Sequence, residues 1–324
     1  MAGSRFLTSR PYRHEYRRWA VWDRGGGPED AVVIAGSGRS GTTWVEEIVN
    51  TGHWARVMFE PFRVSEVPEL RTLGAYTYLR PGDHRFVDLA GRLLSGHPRH
   101  NRWVNHQNYT RVAERRILKE IRAHCLLAWL QDAFPQTPVI FTVRHPVTVV
   151  ASQERMGWRD QLDRFTAQPD LVADHLAGLS GALEQLETRT QRLAAQWCVE
   201  NLVAFRTLGS TSATLVLYES LASDPQETTG RLLATVGRGA DAADLGDVGS
   251  RPSKMARADS VVKHGGDAVA DAFARVPASA RQQVLEVVQQ FGLGDLYGDD
   301  PVPDVAAVTE LWRSGGGAPS NGSL

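Results

Sequence analysis

Cysteine, lysine and long apolar runs are all scarce in this chain of 324 residues. Two cysteines, Cys125 and Cys198, cannot build a disulfide framework or a metal cluster by themselves. Both sit in apolar helical patterns and read as buried thiols, so no metal site is expected. No apolar run approaches the roughly 20 residues that span a bilayer. Arg5, Arg10, Arg13, Arg17 and Arg18 crowd the N-terminus without the apolar stretch of a secretory signal. These absences point to a cytoplasmic protein with no membrane span. A net charge of −1 supplies no global attraction to nucleic acid or to an anionic membrane. Lysine is the most telling shortage: only Lys119, Lys254 and Lys263 stand among 36 basic residues, and the rest are arginine. A lysine in this composition is an exception that asks for a reason.

What is present alternates between strand and helix signals. Residues 1–29 form a basic, aromatic arm ending in the breaker Gly25-Gly26-Gly27-Pro28. Strands are expected at Ala31–Ala35, Ala55–Phe59, up to Lys119, at Pro138–Val143 and at Thr214–Tyr218, each almost wholly apolar. Helices are expected from Gly41 to Asn50, from Leu126 to Phe134, from Pro146 through Ser152, and from Pro225 to Val236. Asp224 stands at the N-cap of the last and Pro225 at its first position. Leu183, Leu186, Leu193, Trp197, Leu202 and Phe205 recur at helical spacing and predict one long amphipathic helix. Apolar strands alternating with helices imply an α/β, three-layer fold: a central parallel sheet flanked by helices, in one domain over residues 30–300. Residues 63–111 lack periodicity and are rich in Pro, Gly, His and aromatics, which suggests a substrate-facing insertion. Residues 301–324 read as a largely disordered tail.

The strongest motif follows the first long strand. Gly36-Ser37-Gly38-Arg39-Ser40-Gly41-Thr42-Thr43 leads into a helix, the setting in which successive backbone N–H groups and a helix dipole converge on an anion. It nearly spells the nucleotide P-loop, Gly, four residues, then Gly-Lys-Ser/Thr. Here Thr42 fills the lysine slot, and the basic residue is Arg39, three positions earlier. The strand Pro138–Val143 ends in Arg144, where an ATPase would place a magnesium-holding carboxylate.

These residues resemble the sulfotransferases that use 3′-phosphoadenosine 5′-phosphosulfate. Ser37-Gly38-Arg39-Ser40-Gly41-Thr42-Thr43-Trp44 is similar to their 5′-phosphosulfate loop. Arg144-His145-Pro146 with Val149 and Ser152 is similar to their 3′-phosphate motif, and Leu217-Tyr218-Glu219-Ser220-Leu221 with Asp224-Pro225 to a third segment. The resemblance runs in order over residues 30–300. It implies a sulfuryl donor, 3′-phosphoadenosine 5′-phosphosulfate, a product, 3′-phosphoadenosine 5′-phosphate, and no metal.

Residue by residue, the resemblance gives Arg39 the 5′-phosphate and the leaving oxygen, Lys119 the transferring sulfuryl group, and Arg144 and Ser152 the 3′-phosphate. Trp44 and Tyr218 would lie against adenine, and Lys263 and the Gly265 amide would close over the 3′-phosphate. Arg39, Lys119, Trp44 and Tyr218 each have a plainer alternative: a solvated loop arginine, a surface lysine, a core tryptophan, a packed tyrosine. The base is the open role. The cytosolic branch carries a histidine two residues after its strand lysine, and Ile121 stands there. Glu60, in Met58-Phe59-Glu60-Pro61-Phe62, instead resembles the Glu-Pro of the carbohydrate and protein-tyrosine branches. Flanking aromatics would raise its pKa by desolvation. The alternative is a structural carboxylate paired with an arginine such as Arg63 or Arg39, with His106 and His124 as the other candidate bases. The acceptor is expected to be a hydroxyl of a glycan, a glycolipid or a secondary metabolite, against Tyr76, Tyr78, Trp103 and Tyr109. Rival readings are a P-loop small-molecule kinase and a non-catalytic nucleotide-binding module. Oligomeric state stays open, with a dimer among the options.

Overall fold

The computed structural model describes residues 21–239 and 268–315. Its strands are β1 (Trp22–Asp23), β2 (Ala31–Gly36), β3 (Ala55–Phe59), β4 (Val112–Ala113), β5 (Arg115–Glu120), β6 (Val139–Val143) and β7 (Thr214–Leu217). Five of them form one sheet in the order β3-β5-β2-β6-β7, every neighbouring pair parallel. The other two, β1 and β4, pair separately. In β2 all six residues are buried, which is why it reads as a continuous apolar run. Alternate side chains feed two cores. Val33, Ala35, Leu118 and Phe141 face one, and Val32, Ile34, Ile117 and Ile140 the other. Both faces are therefore covered, and the architecture is the expected three-layer α/β sandwich.

Helix α1 (Thr42–Val49) lies on the second face. Short helices α2 (Val87–Leu94) and α3 (Arg102–Asn105) stand in the otherwise irregular 63–111 segment. Helix α4 (Leu127–Ala133), α5 (Pro146–Arg155) and α6 (Arg189–Leu208) cover the first face. After β7 come α7 (Tyr218–Ser223), α8 (Pro225–Thr235), α9 (Ala278–Gln290) and α10 (Val305–Ser314). Among the described residues no helix is long and apolar enough to cross a membrane.

Four expectations need correction. The long amphipathic helix starts only at Arg189, because Thr188 accepts from the Gln191 N–H while the Gln191 side chain accepts back from the Thr188 N–H; Leu183 and Leu186 precede that capping box. The third expected strand is β5, which runs on through Glu120 and begins at Arg115, whose charge hid it. The end of the N-terminal arm is built into the domain: Asp23 is buried and pairs with Arg56 at 3.0 Å and Arg116 at 2.7 Å. Part of the expected tail is helix α10, capped by Asp304 and by Gly315, with Val308 and Trp312 buried. Trp312 stacks on Phe141 beneath the sheet. Cys125 and Cys198 are both free and buried.

Candidate active site

In sheet order, β2 is flanked by β5 and β6, while the chain leaves it first for the β3 side and later for the β6 side. That makes the C-terminal end of β2 a switch point, where open α/β sheets form their ligand crevice. The glycine-rich loop sits there. A side chain at Gly36 would collide with the Thr142 carbonyl, and Gly41 has φ +96°, with Tyr218 packed where a Cβ would stand. Helix α1 then begins with Gly41 at its N-cap and no side chain capping it. Its first-turn N–H groups have no intrahelical partner, so the helix offers them, with its dipole, to an anion. The loop is bolted from behind. Asn201 of α6 donates to Ser37 Oγ at 3.1 Å, and Gln153 of α5 donates to the Gly38 carbonyl at 2.9 Å. Ser40 Oγ is buried without a partner among the described residues, and Thr42 is buried beside it, with Thr43 half-buried.

Arg39 adopts φ 81°, and its Nε donates to Ser152 Oγ at 3.0 Å. That bond joins the loop to the last turns of α5, 113 residues further along the chain. Arg144, just past the end of β6, donates to the Arg39 carbonyl at 3.4 Å and lies 4.1 Å from the Tyr218 ring centroid. Its buried Nε has no partner among the described residues. Ser37, Gly38, Arg39, Ser40, Gly41, Thr42, Thr43, Arg144, Ser152 and Tyr218 thus lie together. Trp44 meets Tyr218 edge-on at 5.4 Å, but it is only 4 % exposed and packs among Val32, Ile34 and Ile48. Lys263 and Gly265 fall outside the described residues.

The turn carrying Arg144 is held by groups that sequence reading left without a role. Glu219 Oε1 accepts from the His145 N–H at 2.9 Å, and Trp197 donates to the Arg144 carbonyl at 3.1 Å. His145 caps α5 by accepting from the Val147 N–H, so its proton sits on Nε2, which donates to the Gly298 carbonyl. Burial pushes the imidazole down to about 4, with some help from Arg144, so it is neutral. Burial pushes the Glu219 carboxyl the other way, up to about 7.

One strand over, β5 delivers the second half of the site. Lys119 pairs in register with Ile34, and its ammonium lies 4.5 Å from the Phe59 ring centroid. It is 4 % exposed and donates to Glu60 Oε1 at 2.8 Å. Arg122 donates to Glu60 Oε2 at 2.9 Å. Burial alone would raise the Glu60 carboxyl, as the flanking aromatics suggest, but Lys119 and Arg122 outweigh it and hold the group below the ordinary range. The expected upward shift is therefore corrected: Glu60 is ionised, and its partners are Lys119 and Arg122 rather than Arg63 or Arg39. Glu60 also has φ 41°, with its N–H donating to the Lys119 carbonyl and its carbonyl accepting from Trp103 Nε1. Among the described residues only four non-glycines have positive φ, and Arg39 and Glu60 are two of them. Each such residue costs on the order of 1–3 kcal/mol, a strain that persists where the surroundings over-determine it.

The alternative bases lie differently. His106 meets the Phe59 ring at 4.6 Å and donates through Nδ1 to the Trp103 carbonyl. His124 is buried against Phe141, with Glu200 at 3.9 Å and, among the described residues, no hydrogen bond to either ring nitrogen. Of the four aromatics expected at the acceptor, Trp103 lies beside Glu60 and carries Arg63 over its ring at 4.4 Å. Tyr76 packs edge-on against Phe165, Tyr78 donates to Asp174, and exposed Tyr109 stacks on His53.

Comparison with protein families finds one model, described as the sulfotransferase family, that matches residues 31–241. The match takes in both halves of the site and every described residue named for it. A search of curated proteins finds no match. Among solved structures, the crystal structure of a sulfotransferase from Alicyclobacillus acidocaldarius is similar at 14 % identity, covering 87 % of this chain and 98 % of that one, with a TM-score of 0.36. So distant a likeness carries no argument about the site.

Proposed function

This chain belongs to the sulfotransferase family and is a sulfuryl-transferring enzyme, and we propose that its donor is 3′-phosphoadenosine 5′-phosphosulfate and its acceptor a hydroxyl. The observation that carries the donor reading is the Arg39–Ser152 bond, with Arg144 alongside. It puts a second cation-and-hydroxyl cluster against the phosphate loop, suited to the 3′-phosphate that ATP lacks. The residues fit such a donor. An uncapped helix N-terminus and the orphaned Ser40 Oγ await oxyanions, and the orphaned Arg144 Nε awaits an acceptor. When bound, the donor supplies an activated sulfuryl group on a phosphate leaving group.

In this reading the amides of Gly41–Thr43 and the Thr42 and Thr43 hydroxyls hold the 5′-phosphosulfate. Arg39 faces the leaving oxygen, where charge grows during transfer and a fixed cation stabilises the transition state more than the ground state. Lys119 is the cation for the sulfuryl oxygens. Glu60 takes the acceptor proton as the acceptor oxygen bonds to sulfur, and the electron pair of the broken S–O bond departs on the 5′-phosphate. An ionised, buried carboxylate can accept that proton without first losing one. Tyr218 and the edge of Trp44 border the place for adenine, and Lys263 and Gly265 are proposed to add contacts to the 3′-phosphate. The Glu60-Pro61 loop and Trp103 favour a sugar-like or other alcohol acceptor: a glycan, a glycolipid or a secondary metabolite. No metal takes part in this scheme, and the expected location is the cytoplasm.

The test is Glu60→Gln. Binding of 3′-phosphoadenosine 5′-phosphate, followed calorimetrically, is expected to stay within about twofold. Release of that product from the donor should fall by roughly 10²- to 10⁴-fold. Undiminished release would remove Glu60 as the base.

A further inference from the structure

Glu60 is gripped at both carboxylate oxygens, Oε1 by Lys119 and Oε2 by Arg122. The two grips are built differently. Lys119 is a flexible ammonium on a strand, beside the loop that faces the sulfuryl group. Arg122 is fixed through its own backbone. Its N–H donates to Glu120 Oε1 at 2.9 Å, and its carbonyl accepts from the Tyr76 N–H at 2.8 Å. Tyr76 is itself held in a positive-φ conformation, and its carbonyl accepts from Gln168. Glu120 is fully buried and acts as a clip: it also accepts from the N–H groups of Phe62 and Ile121, which ties the turn after Glu60 to the turn bearing Arg122.

We propose that Arg122 is the positioning residue of Glu60, holding Oε2 so that Oε1, the oxygen on Lys119, is the one presented to the acceptor proton. The proposal rests on Glu60 being the base. In this proposal the Lys119 ammonium gives up Glu60 Oε1 to serve the sulfuryl oxygens. When its ammonium turns to those oxygens, Oε1 becomes free to accept a proton, and Arg122 alone keeps the carboxylate in place. Two cations on one carboxylate thereby divide the work, one exchangeable and one permanent. The charged groups facing Glu60 are Lys119 from β5, Arg122 from the following turn, and Glu120, whose Oε1 lies 3.8 Å from the Arg122 guanidinium. His106 stands behind Phe59.

Arg122→Gln and Arg122→Lys test this in the intact protein with two readouts. The first needs no donor: carboxyl ¹³C titration of glutamate-labelled protein, with the Glu60 signal assigned by its loss in Glu60→Gln. Removing a cation from beside a carboxylate favours the proton, so Glu60 is expected to titrate at higher pH in Arg122→Gln. The second is the pH profile of product release from 3′-phosphoadenosine 5′-phosphosulfate with water as acceptor. Its acid limb should move up with the Glu60 titration, and turnover on the plateau should fall roughly tenfold as orientation is lost. Affinity for 3′-phosphoadenosine 5′-phosphate should not change. Arg122→Lys keeps a cation on a shorter, single-point donor and should fall between the two in both readouts; it stands alone as the test if the glutamine variant does not fold. Wild-type titration, or a wild-type acid limb, in the variants would overturn the proposal. The two readings fail separately. Full turnover in Glu60→Gln removes the base and this proposal with it, whereas a dead Glu60→Gln beside an unaltered Arg122→Gln removes Arg122 alone.

Discussion

Glu219 shows how a single residue can shape this site by fixing the turn behind it. It follows Tyr218 in the first turn of α7 and accepts from the His145 N–H, so it fixes the turn that presents Arg144. Its Oε2 is buried without a partner among the described residues, and burial pushes the carboxyl from 4.5 up to about 7. The folded protein therefore prefers the protonated form. That contribution to stability is fully present below about pH 4.5 and is lost as pH rises through 7, on the order of 3 kcal/mol. Glu120, pushed by burial to about 7 as well, behaves alike. His145 and His175, lowered to about 4 chiefly by burial, shift stability the other way across part of the same window. The net pH dependence of the wild type is thus not diagnostic, but a difference is. Glu219→Gln is expected to gain stability relative to wild type between pH 5 and pH 8, read as denaturation midpoints at both. A constant difference across that range would contradict the assignment. At this scale legibility was uneven. Arg39, Arg144 and Ser152 could be read from the chain because their spacing is fixed within local motifs. Arg122 and the bracing by Glu219 could not, because each is defined by a partner on another strand.

Elements show the same division. Ala55–Phe59 could be read to the residue, since an apolar run between turns leaves little choice. Asp224 caps α8 as its position before Pro225 implies, its side chain accepting from the Glu227 N–H. Helix α6 was read too long because leucine spacing continues through Leu183 and Leu186, and periodicity does not register a cap. Thr188 supplies that cap, and the helix it starts carries Trp197, which holds the Arg144 carbonyl, and Asn201, which holds the glycine-rich loop. A signal was available: Gln196, Glu200 and Asn201 are polar residues on a buried face, an unusual stripe for a helix with nothing to hold. Thr188→Ala should cost about 1 kcal/mol and lower the midpoint of thermal unfolding by roughly 1–2 °C for a chain of this length. Differential scanning calorimetry decides it; an unchanged midpoint would mean the cap is redundant with helix packing.

The whole molecule explains why residues so far apart in sequence meet. The sheet order β3-β5-β2-β6-β7 brings the ends of β3, β5, β2 and β6 side by side, and each contributes one part of the site: Glu60, Lys119, the phosphate loop and Arg144. Chain order predicts a parallel sheet, but strand order emerges only from three-dimensional packing. Below the sheet, Asp23 bridges Arg56 and Arg116, both fully buried, and binds the end of the N-terminal arm to β3 and β5. Nothing local in the sequence announces that pairing. The central question is whether the cluster beside the loop recognises a 3′-phosphate. Calorimetric affinities of wild type and Arg144→Ala for 3′-phosphoadenosine 5′-phosphate and for adenosine 5′-phosphate measure this directly. Wild type is expected to prefer the first nucleotide strongly, and Arg144→Ala to lose about 10- to 100-fold for it alone, the worth of a charge-assisted hydrogen bond. Equal affinities of the wild type for both nucleotides, or an Arg144→Ala loss shared by both, would contradict it.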